Sequence, residues 1–177
     1  MKFPNVFIFV IIPLFLLSGC KKDPDETTID CTSSLDFTKI SVADNAGTII
    51  SVDSTDWTND AAWCEKEYSL FSTHNLDLTG SDTSRIVLLL FPNPLTTVGT
   101  FMLMRPKLCP LQCVIINRAL QILDTFSIPN QTGNSALVLN FSDPLKYKTG
   151  DYYRIYYAAH CTGQLFFFKG HGDFKIE

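Results

Sequence analysis

Near its C-terminus the chain reads Tyr152-Tyr153-Arg154-Ile155-Tyr156-Tyr157-Ala158-Ala159-His160, and this stretch decides the fold class. Aromatic and β-branched residues favour strands, and successive side chains of a strand point to opposite faces of a sheet. One face of the stretch is apolar and carries Tyr153, Ile155, Tyr157 and Ala159. The alternation predicts a β-strand that packs on a hydrophobic core.

The predicted strand continues into a hairpin. Cys161-Thr162-Gly163 is typical of a turn, and Gln164 to Phe168 is apolar enough for a strand that is buried on both faces. Similar strand-like runs are Phe37 to Val42, Thr48 to Val52, Arg85 to Phe91, Thr100 to Met104, Val114 to Phe126 with an interruption, Ala136 to Phe141, and Gln164 to Lys169. Many short strands separated by turn residues predict an all-β fold, an antiparallel β-sandwich or a barrel.

One short helix is expected among these strands. Asn59 or Asp60 can cap its N-terminus, and Cys64, Tyr68 and Phe71 then recur at helical spacing on one face. An amphipathic helix of this kind buries its apolar side. We expect it to close one end of the sandwich.

Trp57 and Trp63, which flank the start of this helix, have two interpretations. Large aromatic side chains at such spacing often anchor a core, because they bury a large apolar area. The same pair in an exposed position would form an aromatic platform for a glycan or a peptide. The pattern favours the core, and Trp57 and Trp63 remain the candidate ligand-binding residues.

The N-terminus has the order of a signal peptide. A single cation, Lys2, precedes an apolar run from Phe3 to Leu17, and the small residues Ser18 and Gly19 follow. A membrane-spanning helix needs about 20 apolar residues, and this run is shorter. Residues 1–19 are therefore predicted to be a cleaved signal peptide.

Leu17-Ser18-Gly19-Cys20 resembles the lipobox of bacterial lipoproteins. The resemblance implies that a diacylglycerol is attached to the Cys20 thiol, that the chain is cut before Cys20, and that the membrane is its partner through this anchor. Lys21 stands where an inner-membrane retention signal would have Asp, which implies outer-membrane localisation. Two or three acyl chains hold a protein at a bilayer firmly, so the mature chain is anchored to the membrane without spanning it.

A polar segment follows Cys20, from Lys21 to Thr28, and contains charges and a proline. Such a composition cannot bury enough apolar surface to fold, which predicts a flexible tether over residues 20–34. The segment also resembles signals that expose lipoproteins on the cell surface in Bacteroidota, so a periplasmic and a surface-exposed location both stay open. One β-sandwich domain is predicted over residues 35–177.

The charge of the mature chain argues against a nucleic-acid partner. The whole sequence has 14 Lys and Arg against 18 Asp and Glu. Removing Lys2 with the signal peptide leaves 13 cations, a net charge of about −5. Nucleic-acid-binding proteins carry basic patches, and the sequence has no cluster of Lys and Arg.

Five cysteines remain once Cys20 carries lipid, namely Cys31, Cys64, Cys109, Cys113 and Cys161. Disulfides persist in the oxidising compartment that the signal peptide implies, and an odd number leaves at least one thiol free. The sequence cannot choose among the pairings. The spacing of Cys109 and Cys113 favours a structural role over a metal or redox pair.

Phe91-Pro92-Asn93-Pro94 and the strand Thr100 to Leu103 resemble the opening of the C-terminal sorting domains of the type IX secretion system. Val114 to Ile122 and Lys148 to Tyr153 continue the resemblance. It implies a seven-stranded immunoglobulin-like fold. The lipobox and the small preceding segment differ from that family, so the secretion role is not carried over with the fold. Because prolines cannot donate ladder hydrogen bonds, Pro92 and Pro94 fit a point where the chain changes sheet.

No catalytic, cofactor or metal motif occurs in the sequence. His74, His160 and His171 are far apart, and neighbours such as His160 and Cys161 point to opposite faces of a strand. Gly170-His171-Gly172-Asp173 is predicted to be a turn or bulge. Asp53-Ser54-Thr55 resembles a short O-glycosylation acceptor of Bacteroidota envelope proteins.

These observations favour a non-catalytic outer-membrane lipoprotein that acts as a structural, adaptor or ligand-binding module, with a protein or glycan ligand and no cofactor or metal. A small envelope hydrolase is the alternative from another class, and His171 and Asp173 would be its centre. An accessory or cargo-like protein of type IX secretion is a third hypothesis.

Overall fold

The computed structural model describes residues 35–74, 87–105, 109–129, 133–160 and 167–177. The predicted signal peptide (1–19) and tether (20–34) lie outside these ranges, together with the lipidation residue Cys20 and with Cys31. Cys161, the predicted turn at 161–163 and the start of the predicted strand at Gln164 also lie outside them.

The described residues form ten strands and one short α-helix. The strands are β1 (Val42–Ala43), β2 (Ile49–Ser51), β3 (Thr58–Asn59), β4 (Val87–Phe91), β5 (Val98–Arg105), β6 (Leu111–Ile116), β7 (Ile122–Ile128), β8 (Gly133–Asn140), β9 (Tyr152–His160) and β10 (Phe167–Lys175). The helix α1 is Glu65–Ser69, and a 3-10 turn follows it at Ser72–His74. The strand predicted over Phe37 to Val42 is wrong for most of its length, since only β1 forms there.

The strands make two packed antiparallel sheets and a small hairpin. The first sheet has the order β3-β10-β9-β6-β7, the second has β4-β5-β8, and β1 pairs with β2. This arrangement confirms the predicted all-β antiparallel sandwich with one short helix. The type IX resemblance implied seven strands, whereas the two packed sheets hold eight because the unpredicted two-residue strand β3 joins the edge of the first.

The main core lies between the two sheets. The predicted apolar face of β9 packs inward: Tyr153, Ile155, Tyr157 and Ala159 are buried in one cluster with residues of both sheets. Leu88 and Leu90 of β4 and Phe101 and Leu103 of β5 supply the opposite wall. The alternation in residues 152–160 therefore predicted the orientation of the central strand correctly.

The helix covers the outer face of the five-stranded sheet, so its predicted position at one end of the sandwich is wrong. Trp63, Leu70 and Phe71 pack on Val114 and Ile116 of β6 and on Tyr156 and Ala158 of β9. Both faces of β6 and β9 carry apolar residues, and apolar residues that the second sheet does not cover need another layer. Helix α1 and the segment around Phe37 form that layer.

The start of the helix also differs from the prediction. Cys64 is the N-cap residue, and its backbone N–H donates to Oε2 of Glu67 at 2.7 Å. Glu67 thereby satisfies one of the N–H groups that a helix start leaves without a partner. Asn59 lies in β3 and Asp60 bonds elsewhere, so neither caps the helix.

The last strand extends well past Lys169, and the predicted turn at Gly170-His171-Gly172-Asp173 is wrong. All four residues pair with β9, in the register Gly170–Tyr157 to Asp173–Arg154. A Cβ atom at Gly170 would collide with the backbone oxygen of Thr58, and one at Gly172 would collide with the indole of Trp57. Glycine is present in this strand because other groups approach its backbone closely.

The Pro-Asn-Pro segment lies where the chain leaves the second sheet. Strand β4 ends at Phe91, and four residues later Leu95 forms a bridge with Ile176, just after β10. Between them, Asn93 is fully buried, and its Nδ2 donates to the backbone oxygens of Ser41 at 2.9 Å and Asp173 at 3.0 Å. Asn93 therefore joins segments from both ends of the described chain.

The described cysteines have different states. Cys64 and Cys109 are disulfide-bonded, whereas Cys113 is a buried free thiol. Burial raises the pKa of the Cys113 thiol, which keeps it protonated and unreactive. The sequence left the pairing of the cysteines open, and the partners of Cys64 and Cys109 are not assigned.

Candidate functional site

Polar side chains gather on the outer face of the five-stranded sheet, beneath the layer that contains α1. They come from alternate positions of β10 and β9, which the register brings side by side: His171 is opposite Tyr156, and Asp173 is opposite Arg154. Residues from the N-terminal segment complete the group, which we call the outer-face network: Asp56, Asp60, Glu67, Arg154, Tyr156, His171 and Asp173.

Arg154 and Asp173 form a buried ion pair at the centre of the outer-face network. Nε and Nη2 of Arg154 donate to the two carboxylate oxygens of Asp173 at 2.6 and 2.7 Å. Nη2 also donates to the backbone oxygen of Asp36 at 3.0 Å, and the guanidinium lies over the ring of Phe37. Burial alone would lower the pKa of Arg154, but the hydrogen bonds and charge of Asp173 raise it.

Asp56 lies beside this pair and accepts two backbone hydrogen bonds. Its Oδ1 accepts from the N–H of Asp173 at 2.7 Å, and its Oδ2 accepts from the N–H of Ser41 at 2.6 Å. Burial raises the pKa of Asp56 to about 6, although both backbone bonds oppose the shift. This carboxyl group therefore ties β10 to the chain before β1, and it titrates above its usual range.

Tyr156 connects the sheet to the helix. Its hydroxyl donates to Oε1 of Glu67 at 2.6 Å, while Oε2 of Glu67 caps the helix through Cys64. Burial, together with the Glu67 carboxylate, raises the pKa of Tyr156. The phenol therefore stays protonated and acts as a donor that positions α1.

His171 pairs with Asp60 and not with Asp173, so the predicted His171–Asp173 centre is wrong. Nδ1 of His171 lies 2.7 Å from Oδ2 of Asp60, and the same oxygen accepts from Nε1 of Trp63 at 2.8 Å. The side chains of His171 and Asp60 are 17% and 14% exposed. His171 and Asp173 share a face of β10, but residues two apart in a strand do not contact each other. Asp173 binds Arg154 of the neighbouring strand instead.

The two tryptophans do not form an exposed platform. Trp63 is 4% exposed and stacks on Phe71 with ring centroids 5.3 Å apart. Trp57 is half-buried and stacks on Tyr157, and its backbone has φ +55°, a conformation rare for a non-glycine residue. Trp63 is part of the core and Trp57 packs against it, which agrees with the core interpretation.

The arrangement of the outer-face network is that of a structural element. Each of its acids and bases bonds another protein group, and the bonds connect the N-terminal segment, α1, β9 and β10. Buried polar groups that are fully bonded fix how such segments pack. Within the described ranges, no group of three or more His, Cys, Asp and Glu side chains is placed to hold a metal ion.

Two open clefts lie around the segment between β8 and β9. The first, of about 380 Å³, lies between the edges of β7 and β8 and is lined by Asp124, Phe126 and Tyr147. The second, of about 410 Å³, lies between the β6–β7 turn and the β8–β9 segment. We call it the basic cleft, because its lining includes Arg118, Lys146 and Lys148.

The basic cleft was not predicted from the sequence. Its residues are distributed over two turns, Asn117 to Gln121 and Leu145 to Asp151, and each turn alone has an ordinary loop composition. Two short basic segments are a weak signal, because charged residues are common in solvated turns.

Comparison with known proteins gave no match among protein-family models, curated proteins or solved structures. The part of the chain that the structure describes contains no helix of sufficient length and apolarity to cross a bilayer.

Proposed function

We propose that this chain is an outer-membrane lipoprotein, held at the bilayer by acyl chains on Cys20, whose β-sandwich serves as a non-catalytic binding or structural module of the bacterial envelope. The observation that carries the proposal is Leu17-Ser18-Gly19-Cys20 after a charged and apolar N-terminus. The polar segment from Lys21 to Thr28 would hold the sandwich away from the membrane.

The structure of the domain supports the non-catalytic part of this proposal. General acid–base catalysis needs a side chain within hydrogen-bond reach of the substrate. In the outer-face network, Arg154, Asp173 and Tyr156 are buried and bonded to one another or to α1. Their groups hold the fold together and are not exposed to a substrate.

A second candidate function rests on one observation, the contact between His171 and Asp60. A carboxylate that orients a histidine is part of the catalytic centre of many hydrolases. The pair is partly exposed, unlike the rest of the network. A hydrolase would also need a nucleophile beside Nε2 of His171. The described contacts of the pair are two further hydrogen bonds to the Asp60 carboxylate, donated by Nε1 of Trp63 and Oγ1 of Thr58.

The anchor is tested by replacing Cys20. Cys20→Ala should abolish incorporation of labelled palmitate and yield a soluble or signal-retaining chain, because the thiol is the acceptor of the diacylglycerol. Lys22→Ala is the matched control and should remain in the outer membrane. The proposal is wrong if Cys20→Ala still fractionates with outer membranes after a carbonate wash.

A further inference from the structure

The basic cleft is formed by residues that are fixed in place on both sides. On one side, Oδ1 of Asn117 accepts from the N–H groups of Ala119 and Gln121 at 2.9 and 3.1 Å. Nδ2 of Asn117 donates to Oε1 of Gln121 at 2.8 Å. These bonds close the β6–β7 turn and hold Arg118 at its tip. Because Oε1 of Gln121 already accepts a bond, Gln121 offers its amide N–H groups to the cleft.

The opposite wall is anchored to the sandwich. Nζ of Lys146 and the hydroxyl of Tyr147 contact the two carboxylate oxygens of Asp124 in β7, at 2.5 and 2.6 Å. The backbone N–H of Lys148 donates to the hydroxyl of Tyr153 at 2.6 Å. Three successive residues of the β8–β9 segment are therefore tied to the sheet. A wall that is already ordered costs little conformational entropy when a ligand binds.

Cations gather at this cleft in a chain that is acidic overall. The guanidinium of Arg118 lies 5.1 Å from the ring centroid of Tyr152, and Lys148 lines the same cleft. Within the described residues, neither Arg118 nor Lys148 forms an ion pair with a carboxylate. Like charges that are close together repel each other, and an anion placed among them would relieve that repulsion.

The stacking of Arg118 on Tyr152 prepares the guanidinium for such an anion. A guanidinium that lies on an aromatic ring keeps its N–H donors in its own plane. Those donors match the two oxygens of a carboxylate, and such bidentate pairs are among the strong hydrogen bonds in proteins.

The other residues that line the cleft indicate which groups the ligand carries besides its carboxylate. Asp151 lines the cleft and is exposed, and its carboxylate can accept hydrogen bonds from hydroxyls. Leu145 is 90% exposed and gives one edge an apolar surface. The sugar residue that fits the cleft has a carboxylate, several hydroxyls and an apolar ring face. A volume of about 410 Å³ is within the range of small-molecule sites.

From this geometry we infer that the basic cleft binds a sugar acid, a hexuronate residue of a saccharide, with its carboxylate on Arg118 and Lys148. Asp151 and Gln121 bind the ring hydroxyls. The inference deepens the proposed function, since it names the ligand class of the proposed binding module, and it is tested separately from the anchor.

The experiment is isothermal titration calorimetry of the full lipidated chain in non-ionic detergent micelles. The probes are trigalacturonate, a neutral galactose trisaccharide and inorganic phosphate. We expect trigalacturonate to bind at least tenfold more tightly than either of the others. Arg118→Gln should weaken trigalacturonate binding at least tenfold, and Lys148→Gln, a second exposed position, should weaken it several-fold. Lys39→Gln, an exposed lysine outside the cleft, is the matched control and should bind as the parent does.

The inference is overturned if trigalacturonate does not bind, if it binds no better than the neutral trisaccharide, or if Arg118→Gln and Lys148→Gln both bind as the parent does. Phosphate binding as tight as trigalacturonate would also overturn it, because the cleft would then select charge alone. Mass spectrometry of trigalacturonate after incubation keeps the two proposals apart. A cleaved saccharide would contradict the non-catalytic function while leaving the assignment of the binding site in place.

Discussion

Replacing Asn93 should destabilise the whole sandwich. The side chain is fully buried and makes three hydrogen bonds: Nδ2 donates to Ser41 and Asp173, and Oδ1 accepts from the N–H of Lys175 at 3.2 Å. Asn93→Ala leaves three backbone groups without these partners, two of them buried and that of Lys175 half-buried. Each lost bond costs about 1 kcal/mol, and more where the remaining group stays without water. The free energy of unfolding should therefore fall by about 3–5 kcal/mol.

That loss is large compared with the roughly 5–15 kcal/mol that stabilises a typical domain. Urea denaturation followed by tryptophan fluorescence measures it, and both indoles report on the fold because both pack against core residues. Asn134→Ala, at an exposed position of β8, is the control and should change the stability by less than about 0.5 kcal/mol. Because Asn93 connects Ser41 to β10, one cooperative transition should shift as a whole. An unchanged midpoint for Asn93→Ala, or a second transition that does not move, would refute this reasoning.

Two further predictions concern the outer-face network. Asp56 has a pKa of about 6 in the folded chain and about 4 in the unfolded chain, so folding takes up a proton between these values. The free energy of unfolding should therefore fall by up to about 3 kcal/mol as the pH rises from 4 to 6. Urea denaturation at several pH values measures this fall, and the fall should be absent in Asp56→Asn. A slope unchanged in the variant would contradict this assignment. His171→Ala should lower the free energy of unfolding by about 1–2 kcal/mol, because the bond to Asp60 is lost. Cells that carry this variant should show the same envelope phenotype as cells with the parent protein. A folded variant that loses an enzymatic activity would instead establish the hydrolase hypothesis.

The central strand was predictable because its signal is local. Alternation in residues 152–160 identifies the face that carries Tyr153, Ile155 and Tyr157 without any information from elsewhere in the chain. The end of β10 was not predictable in this way. Gly170 and Gly172 have the local composition of a turn, and the reason for them is the approach of Thr58 and Trp57 from a distant part of the sequence.

Long-range pairing also explains why neither the position of α1 nor the hydrogen bonds of the outer-face network could be predicted from the sequence. Apolar residues on both faces of β6 and β9 indicate that two layers must cover the sheet, but not which segment supplies the second layer. The partner of His171 lies more than a hundred residues earlier, at Asp60. A sequence motif records neighbours along the chain, and this contact exists only after the sheet has formed.

The contact between Trp57 and Gly172 has a consequence for the evolution of this domain. The indole occupies the volume that any side chain at position 172 would need. Sequences that diverge from this one should therefore change the two positions together, with a smaller residue at 57 wherever 172 has gained a side chain. A substitution at only one of the two positions should be removed by selection, so positions 57 and 172 should covary.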